Sequence, residues 1–167
     1  MASLKRSKSA KATFAAGCFW GVEGIFMKVK GVISTQAGYT GGHTKNPAYS
    51  EVCTGTTGHA EAVRVEFDPK IVSFKELLGI FFRLHDPTTK NRQGPDFGHQ
   101  YRSAIFFHSP SQEKEARDFV HALVKSGQWK EPIVTEIVAA APFYPAEECH
   151  QKYFQKHPLM AACHVLK

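Results

Sequence analysis

The 167-residue sequence lacks the features of a secreted or membrane-embedded protein. Its four cysteines, at positions 18, 53, 149 and 163, form no CxxC pair and no dense set of disulfide candidates. No apolar run approaches the roughly 18 residues that a membrane-spanning helix needs, and no apolar signal-peptide core follows Met1. Sparse cysteine is typical of a reducing compartment, where a thiol is kept for chemistry. We therefore expect a soluble, cytoplasmic protein.

A strongly basic body is missing too, although the net charge is +6. Four basic residues and no acidic residue lie among residues 1–11, and without them 17 basic residues stand against 15 acidic ones. We predict that residues 1–11 form a basic, disordered tail, with organellar targeting left open, and that residues 12–167 form a single catalytic domain. The charge therefore gives little support to a module that binds nucleic acid.

Motifs for cofactors are absent from the sequence. It contains neither GxGxxG nor a phosphate-binding loop ending in Lys-Ser or Lys-Thr. The pairs Cys149-His150 and Cys163-His164 lack the spacing of two to four residues that separates the ligands of common zinc sites. We expect no cofactor and no metal.

What the sequence does contain is a thiol in an unusual setting, since Cys18 lies between Gly17 and Gly21 and is followed by Phe19 and Trp20. A short β-type stretch precedes it, and apolar residues at helical spacing follow it. Cys18 is therefore predicted at the N-terminus of a helix, where the backbone N–H groups and the helix dipole lower a thiol pKa. The alternative is an inert buried cysteine.

The pattern of apolar residues predicts the element order strand, helix, strand, strand, helix, strand, helix, strand, helix. This order indicates an α+β fold, a two-layer sandwich with a mixed, largely antiparallel sheet of split βαβ (ferredoxin-like) type plus a C-terminal extension. Among its parts we predict a strand over 32–37 ended by a glycine-rich turn over 38–42, a helix capped by Ser111, a rigid turn over 142–145 and a final helix over 147–156.

Glu61 stands out because it opens a face of the predicted strand 61–67 that is otherwise apolar. A carboxyl buried there would have a raised pKa and could donate a proton, whereas the alternative is a surface glutamate at the end of the strand. A thiol protease would instead need a histidine such as His59 or His99, but the local signatures of those enzymes are absent. A thiol peroxidase would use Cys18 without needing Glu61.

With these residues in view, the chain resembles the peptide methionine sulfoxide reductase A family. The matching motifs occur in the family's order from about residue 12 to residue 158. They are Gly17-Cys18-Phe19-Trp20-Gly21, Gly38-Tyr39-Thr40-Gly41-Gly42, Asn46-Pro47-Ala48-Tyr49, Gly58-His59-Ala60-Glu61, His85-Asp86-Pro87, Gly98-His99-Gln100-Tyr101-Arg102-Ser103, Pro142-Phe143-Tyr144 and His150-Gln151.

The resemblance implies an oxidoreductase that reduces methionine S-sulfoxide, free or in proteins, and so repairs proteins under oxidative stress. It implies that Cys18 attacks the sulfoxide sulfur and becomes a sulfenic acid. The other implied roles are a proton donor at Glu61, hydrogen bonds to the sulfoxide oxygen from Tyr49 and Tyr101, a pocket for the substrate methyl group made by Phe19 and Trp20, and a polar network that includes Asp96.

The resemblance also implies that a second cysteine condenses with the sulfenic acid and that thioredoxin, or a similar dithiol protein, reduces the resulting disulfide. Here the tail departs from the Gly-Tyr-Cys-Gly pattern of many members, since it reads Met160-Ala161-Ala162-Cys163-His164. We expect Cys163 to be this resolving cysteine, with Cys149 as the alternative. Cys53 is expected to be structural, and the chain to be a monomer that binds neither nucleic acid nor membrane.

Overall fold

The computed structural model describes residues 8–160. Most of the predicted basic tail and the proposed resolving Cys163 lie outside these residues. Strand β1 spans Ala10–Ala16, so it begins two residues before the predicted start of the domain. No helix within residues 8–160 is long and apolar enough to cross a membrane.

The fold is α+β, with a mixed six-stranded sheet in the order β7-β6-β1-β3-β2-β8. Only the β6–β7 pair is parallel, and the other four neighbouring pairs are antiparallel. The strands after β1 are β2 (Val32–Thr40), β3 (Ala60–Phe67), the short β4 (Arg92–Gln93) and β5 (Asp96–Phe97), which pair only with each other, then β6 (Ser103–Phe107), β7 (Glu136–Ala139) and β8 (Phe143–Pro145).

The helices are α1 (Phe19–Phe26), α2 (Tyr49–Cys53), α3 (Phe74–Leu84), α4 (Pro110–Ser126) and α5 (Tyr153–Lys156). Residues of α1, α2, α3 and α4 join the core on one face of the sheet.

The main core lies between the sheet and the helices α1 and α3. Phe14 of β1 stacks on Phe26 of α1 with 5.1 Å between ring centroids and on Phe81 of α3 with 5.2 Å. Side chains alternate between the faces of a strand, so Val63 and Val65 join this core. The opposite face carries a small cluster of alanines with Phe106. Glu61 lies on the helix-covered face, as its alternation with Val63 and Val65 predicted.

Serine hydroxyls cap two of the helices. Ser73 caps α3, since its hydroxyl accepts a hydrogen bond from the Glu76 amide at 3.0 Å. The prediction of Ser111 as the cap of α4 was wrong, because Ser109 caps that helix and accepts from the Gln112 amide at 3.2 Å. Pro110 then occupies the first helical position, where a missing N–H group costs nothing.

The predicted turn over residues 38–42 and the predicted turn over 142–145 were both wrong in part. Strand β2 continues to Thr40, and β8 pairs beside it, with Tyr39 opposite Tyr144. This pairing requires glycine at position 38, since a Cβ there would lie 2.5 Å from the Phe143 ring and from the Tyr144 carbonyl oxygen. The glycine therefore allows close strand packing rather than a turn.

The predicted final helix over 147–156 was also wrong, because it is broken in the middle. A 3₁₀ helix spans Glu148–His150, Gln151 is extended, and Lys152 has a left-handed backbone with a φ of 50°. The Gln151 side-chain oxygen accepts from the Ala37 amide at 2.9 Å, and its NH₂ group donates to the carbonyls of Ala37 at 2.8 Å and Ala146 at 2.9 Å. These bonds hold what we call the C-terminal segment, residues 146–156, along β2.

A buried carboxylate holds the same break from the other side. Glu23 of α1 has no exposed surface, and it accepts hydrogen bonds from the Thr35 hydroxyl at 2.9 Å and the Lys152 amide at 2.5 Å. Each of these bonds satisfies a polar group that would be costly to bury alone. Glu23 therefore joins the helix that follows Cys18 to the C-terminal segment.

Candidate active site

Cys18 lies at the junction between the central strand and the first helix, as predicted. Strand β1 ends at Ala16, Gly17 turns the chain with a φ of 91°, and Cys18 immediately precedes the first residue of α1. Its side chain is partly exposed. The thiol thus faces solvent at the end of α1 where backbone N–H groups have no helical partner.

Glu61 of the neighbouring strand lies beside the turn that bears Cys18. It lies in β3, is 1% exposed, and its Oε1 accepts a hydrogen bond from the backbone N–H of Phe19 at 3.3 Å. Phe19 directly follows Cys18, so this contact places a buried carboxyl beside the thiol-bearing turn.

Tyr101 is the next of the predicted residues at this site, together with Asp96. Tyr101, in a 3₁₀ helix over His99–Tyr101, interacts electrostatically with Glu61, Asp96 and Cys18. Burial, followed by the negative charges of Glu61 and Asp96, raises the Tyr101 pKa above its ordinary value of 10.0. The tyrosine therefore keeps its proton at neutral pH.

Tyr49 begins α2, a one-turn helix that the sequence did not predict. Burial raises the Tyr49 pKa, and a hydrogen bond to Cys53 and the charge of Glu61 raise it further. Cys53, expected to be structural, is exposed and lies one helical turn after Tyr49, to which it is hydrogen-bonded. Desolvation, the largest effect, together with Glu61 and Glu147, raises the Cys53 pKa.

Phe19 and Trp20 occupy different environments although they are adjacent. Phe19 has no exposed surface, and its ring lies 5.7 Å from that of Tyr39 and 6.5 Å from that of Tyr49. Trp20 is partly exposed. Trp20 can therefore contact a ligand directly, while Phe19 supports the aromatic residues around it.

Sequence reasoning missed two aromatic partners of Trp20 from the C-terminal segment. The Tyr153 ring stacks on Trp20 with 3.7 Å between centroids and 7° between planes. The Trp20 indole N–H donates to Nδ1 of His150 at 3.1 Å, so a neutral His150 carries its proton on Nε2. Burial lowers the His150 pKa below its ordinary value of 6.5, and Glu147 opposes this effect. The pair His150-Gln151 was noticed in the sequence, but it gave no signal for these contacts.

Glu147 links the tyrosines to the C-terminal segment. Its two oxygens accept from the Tyr39 hydroxyl at 3.1 Å and from the Tyr49 amide at 3.2 Å. Desolvation acts to raise the Glu147 pKa, but the hydrogen bonds from its own backbone, Tyr49 and Tyr39 prevail, so its pKa is lowered. Glu147 therefore fixes the start of α2 as a carboxylate.

The remaining candidates lie apart from these contacts. Both ring nitrogens of buried His59 serve the loop, since Nδ1 accepts from the Gly42 amide at 3.0 Å and Nε2 lies 2.7 Å from the Thr44 carbonyl oxygen. Such a histidine is not available as the base of a thiol protease. Cys149 is exposed in the 3₁₀ helix Glu148–His150 rather than in a continuous final helix, and Cys163 lies outside the described residues.

Comparison with known proteins first defines the class of enzyme. The family described as peptide methionine sulfoxide reductase matches residues 10–167 of this chain. The chain belongs to this family and is an oxidoreductase that reduces methionine sulfoxide.

Particular relatives and structures agree with this assignment. The chain is 61% identical to the peptide methionine sulfoxide reductase MsrA of Methanosarcina acetivorans over 146 residues, covering 87% of this chain and 78% of the relative. It is 54% identical to MsrA of Methanothermobacter thermautotrophicus, covering 96% and 95%. Reduced Mxr1 of Saccharomyces cerevisiae superposes with a TM-score of 0.90 at 38% identity, covering 99% of this chain and 96% of Mxr1.

Proposed function

We propose that this enzyme reduces the S epimer of methionine sulfoxide, free or in proteins, through a sulfenic acid on Cys18. The observation that carries the proposal is the hydrogen bond from the Phe19 amide to Glu61, which joins the turn bearing the thiol to a buried carboxyl. The N-terminus of α1 stabilises the Cys18 thiolate, which attacks the sulfoxide sulfur. The attack forms a bond between the Cys18 sulfur and the sulfur of the protonated sulfoxide. This bond and the substrate sulfur–oxygen bond then break as the oxygen moves to Cys18, which becomes S–OH, and methionine leaves.

Glu61 supplies the proton that this step requires. Sulfoxide oxygen is a poor leaving group until it is protonated, and burial favours the neutral, proton-bearing form of a carboxyl. Because Oε1 accepts the Phe19 N–H, the proton of neutral Glu61 lies on Oε2. The role of general acid is therefore compatible with the hydrogen bond that positions the residue.

Tyr49 and Tyr101 hold the sulfoxide oxygen by donating hydrogen bonds. Burial, the largest cause of their raised pKa values, keeps both hydroxyls protonated also when Glu61 is neutral, as this role needs. Tyr49 donates to Cys53 in the absence of substrate, so its hydroxyl exchanges one acceptor for another on binding. Asp96 acts through Tyr101, the hydroxyl that its charge influences.

The substrate methyl group lies against Trp20, with Phe19 supporting the pocket wall from behind. His150 and Tyr153 keep the Trp20 ring in place through the indole hydrogen bond and the stacked contact. These contacts support a positioning role for the C-terminal segment.

A second thiol completes the cycle. The Cys163 thiol condenses with the Cys18 sulfenic acid and releases water, and a dithiol protein such as thioredoxin reduces the disulfide. The complex of Mxr1 with Trx2, which superposes on this chain with a TM-score of 0.66 at 28% identity, supports such a partner. Its coverage is 99% of this chain and 94% of that Mxr1 chain. Cys149 is the alternative resolving thiol.

Three smaller proposals accompany this function. The split βαβ subclass is supported by the order β6-β1-β3-β2 with every neighbour antiparallel. A single catalytic domain is supported by the family match over residues 10–167. That the enzyme acts as a cytoplasmic monomer remains a prediction.

Single-turnover assays with the separated epimers test the first half-reaction. The reduced enzyme should release one methionine per Cys18 from the S epimer and almost none from the R epimer. Cys18→Ser should lower the rate by a factor on the order of 10³ or more, because no other group forms the covalent intermediate. Cys149→Ser is the matched control and should still release one methionine. Turnover of Cys18→Ser near the wild-type rate would refute the assignment of the nucleophile.

Peptide mapping after one turnover tests the second half-reaction. We expect a Cys18–Cys163 disulfide that reduced thioredoxin removes. A Cys18–Cys149 disulfide, or a sulfenic acid that persists, would overturn the recycling scheme without affecting the first half-reaction.

A further inference from the structure

A cavity of about 460 Å³ lies on the side of the sheet away from α1 and α3. Strands β1, β2 and β3 form its floor, and the C-terminal segment forms one wall. The residues that line it are Lys11, Ser34, Thr35, Gln36, Arg64, Glu66, Glu148, Gln151, Lys152 and Lys156. Apart from Gln151 and Lys152, whose hydrogen bonds hold the C-terminal segment in place, none of them has a role in the proposed reduction of sulfoxide.

The charges in this cavity are unbalanced. Four basic side chains line it against two carboxylates. Among residues 8–160 the Lys156–Glu148 contact at 3.2 Å is the one ion pair within the cavity. The other carboxylate, Glu66, accepts hydrogen bonds from the hydroxyls of Ser9 at 2.7 Å and Ser34 at 3.4 Å. Three cations therefore share a cavity without a paired anion in the described part of the chain.

Arg64 is held in place by neutral neighbours. It is partly buried, its Nη2 donates to the Gln36 side-chain oxygen at 2.6 Å, and its guanidinium carbon lies 4.7 Å from the centroid of the Phe143 ring. Neutral groups thus orient the guanidinium without neutralising it. Its remaining donors suit an oxyanion, because a planar guanidinium pairs with two oxygens at once.

The positive charges of this cavity also act on nearby His108. Burial, followed by the charges of Lys11 and Arg64, lowers the His108 pKa below its ordinary value of 6.5. An anion placed between those two cations would oppose part of this effect.

We propose that this cavity binds a phosphate-class oxyanion, either inorganic phosphate or a phosphate monoester, between Arg64 and Lys11 of the sheet and Lys152 and Lys156 of the C-terminal segment. A doubly charged oxyanion matches the excess of cations and offers acceptors to both sets of donors. Because it would bridge the two sets, binding ties the C-terminal segment to the sheet. The site does not depend on the proposed function.

Titration of the full-length, reduced protein tests this site. Inorganic phosphate is added at ionic strength held constant with sodium chloride, and binding is followed by calorimetry and by NMR of the histidine side chains. We expect saturable binding and a rise in the His108 pKa. Arg64→Gln should weaken binding by about tenfold or more, because it removes a charge-assisted bidentate contact.

A control variant and two alternative variants accompany Arg64→Gln. Lys114→Gln, which removes one exposed charge from α4, is the matched control and should change affinity by less than roughly twofold. If Arg64→Gln does not fold, the exposed positions Lys11→Gln and Lys156→Gln should each weaken binding severalfold.

Comparison with O-phosphoserine separates the two sources of ligand, since tighter binding than phosphate identifies a monoester and weaker binding identifies the free ion. Absence of saturation, or equal weakening by Arg64→Gln and Lys114→Gln, would overturn the proposal. Cys18→Ser should bind phosphate as the wild type does, so the site and the proposed reaction can fail separately.

Discussion

The two regions that meet at the candidate active site are held by different kinds of bonds. Cys18 lies just after strand β1, and Glu61 lies in strand β3. A continuous antiparallel ladder joins these two strands. The C-terminal segment, which brings His150 and Tyr153 to Trp20, is held mainly by side chains that bond to backbone groups, chiefly Gln151 and Glu23. The first region can be displaced only by breaking a sheet, whereas the second can be released by losing a few hydrogen bonds.

Glu61→Gln should remove the proton donor from the region held by β1 and β3 while leaving the structure of that region intact. The amide can still accept the Phe19 N–H but cannot donate an acidic proton, so the single-turnover rate should fall by roughly 10²–10⁴-fold. Rapid-quench measurement of methionine release checks this. Glu115→Gln, at an exposed position of α4, is the control and should react at the wild-type rate. An unchanged rate in Glu61→Gln would assign the proton to another donor.

Gln151→Ala should loosen the attachment of the C-terminal segment to β2. Three hydrogen bonds are lost and the Ala37 amide loses its partner, while the Ala37 carbonyl still accepts from the Ala146 amide. This change should cost about 1–3 kcal/mol of unfolding free energy. We expect faster hydrogen exchange at Ala37 and a severalfold higher KM for a sulfoxide peptide, since Trp20 loses its support. Urea denaturation and exchange measurements check this, with exposed Gln155→Ala as control. Equal exchange at Ala37 in both variants would contradict the role of Gln151.

A smaller effect should appear in the pH dependence of stability. Burial lowers the His150 pKa in the folded protein, so the unfolded chain binds this proton first as the pH falls below 6.5. Stability should therefore decrease from pH 6.5 down to the folded pKa, by at most about 1.4 kcal/mol per pH unit. Denaturation across this range should show a shallower decrease in His150→Gln. Exposed His121→Gln should keep the wild-type slope, and identical slopes in all three proteins would exclude His150.

The same division explains what the sequence could predict. The face of Glu61 and the position of Cys18 follow from local signals, a two-residue alternation and a change from strand to helix periodicity. The break at Gln151 depends on Ala37, 114 residues away in the sequence, and on Glu23. No local pattern contains that information. The cap at Ser109 is different, since Pro110 at the first helical position is a local signal for the start of that helix.

Gly38 determines which strand ends the sheet on this side. By letting β8 lie against β2, it covers the edge of β2 along residues 38–40 and ends the sheet in a three-residue strand with Pro145. Short edge strands and proline make poor templates for strands from other molecules. Any motion that carries the chain end towards Cys18 must spare this pairing to keep the edge covered. The pivot of such a motion therefore belongs after Pro145.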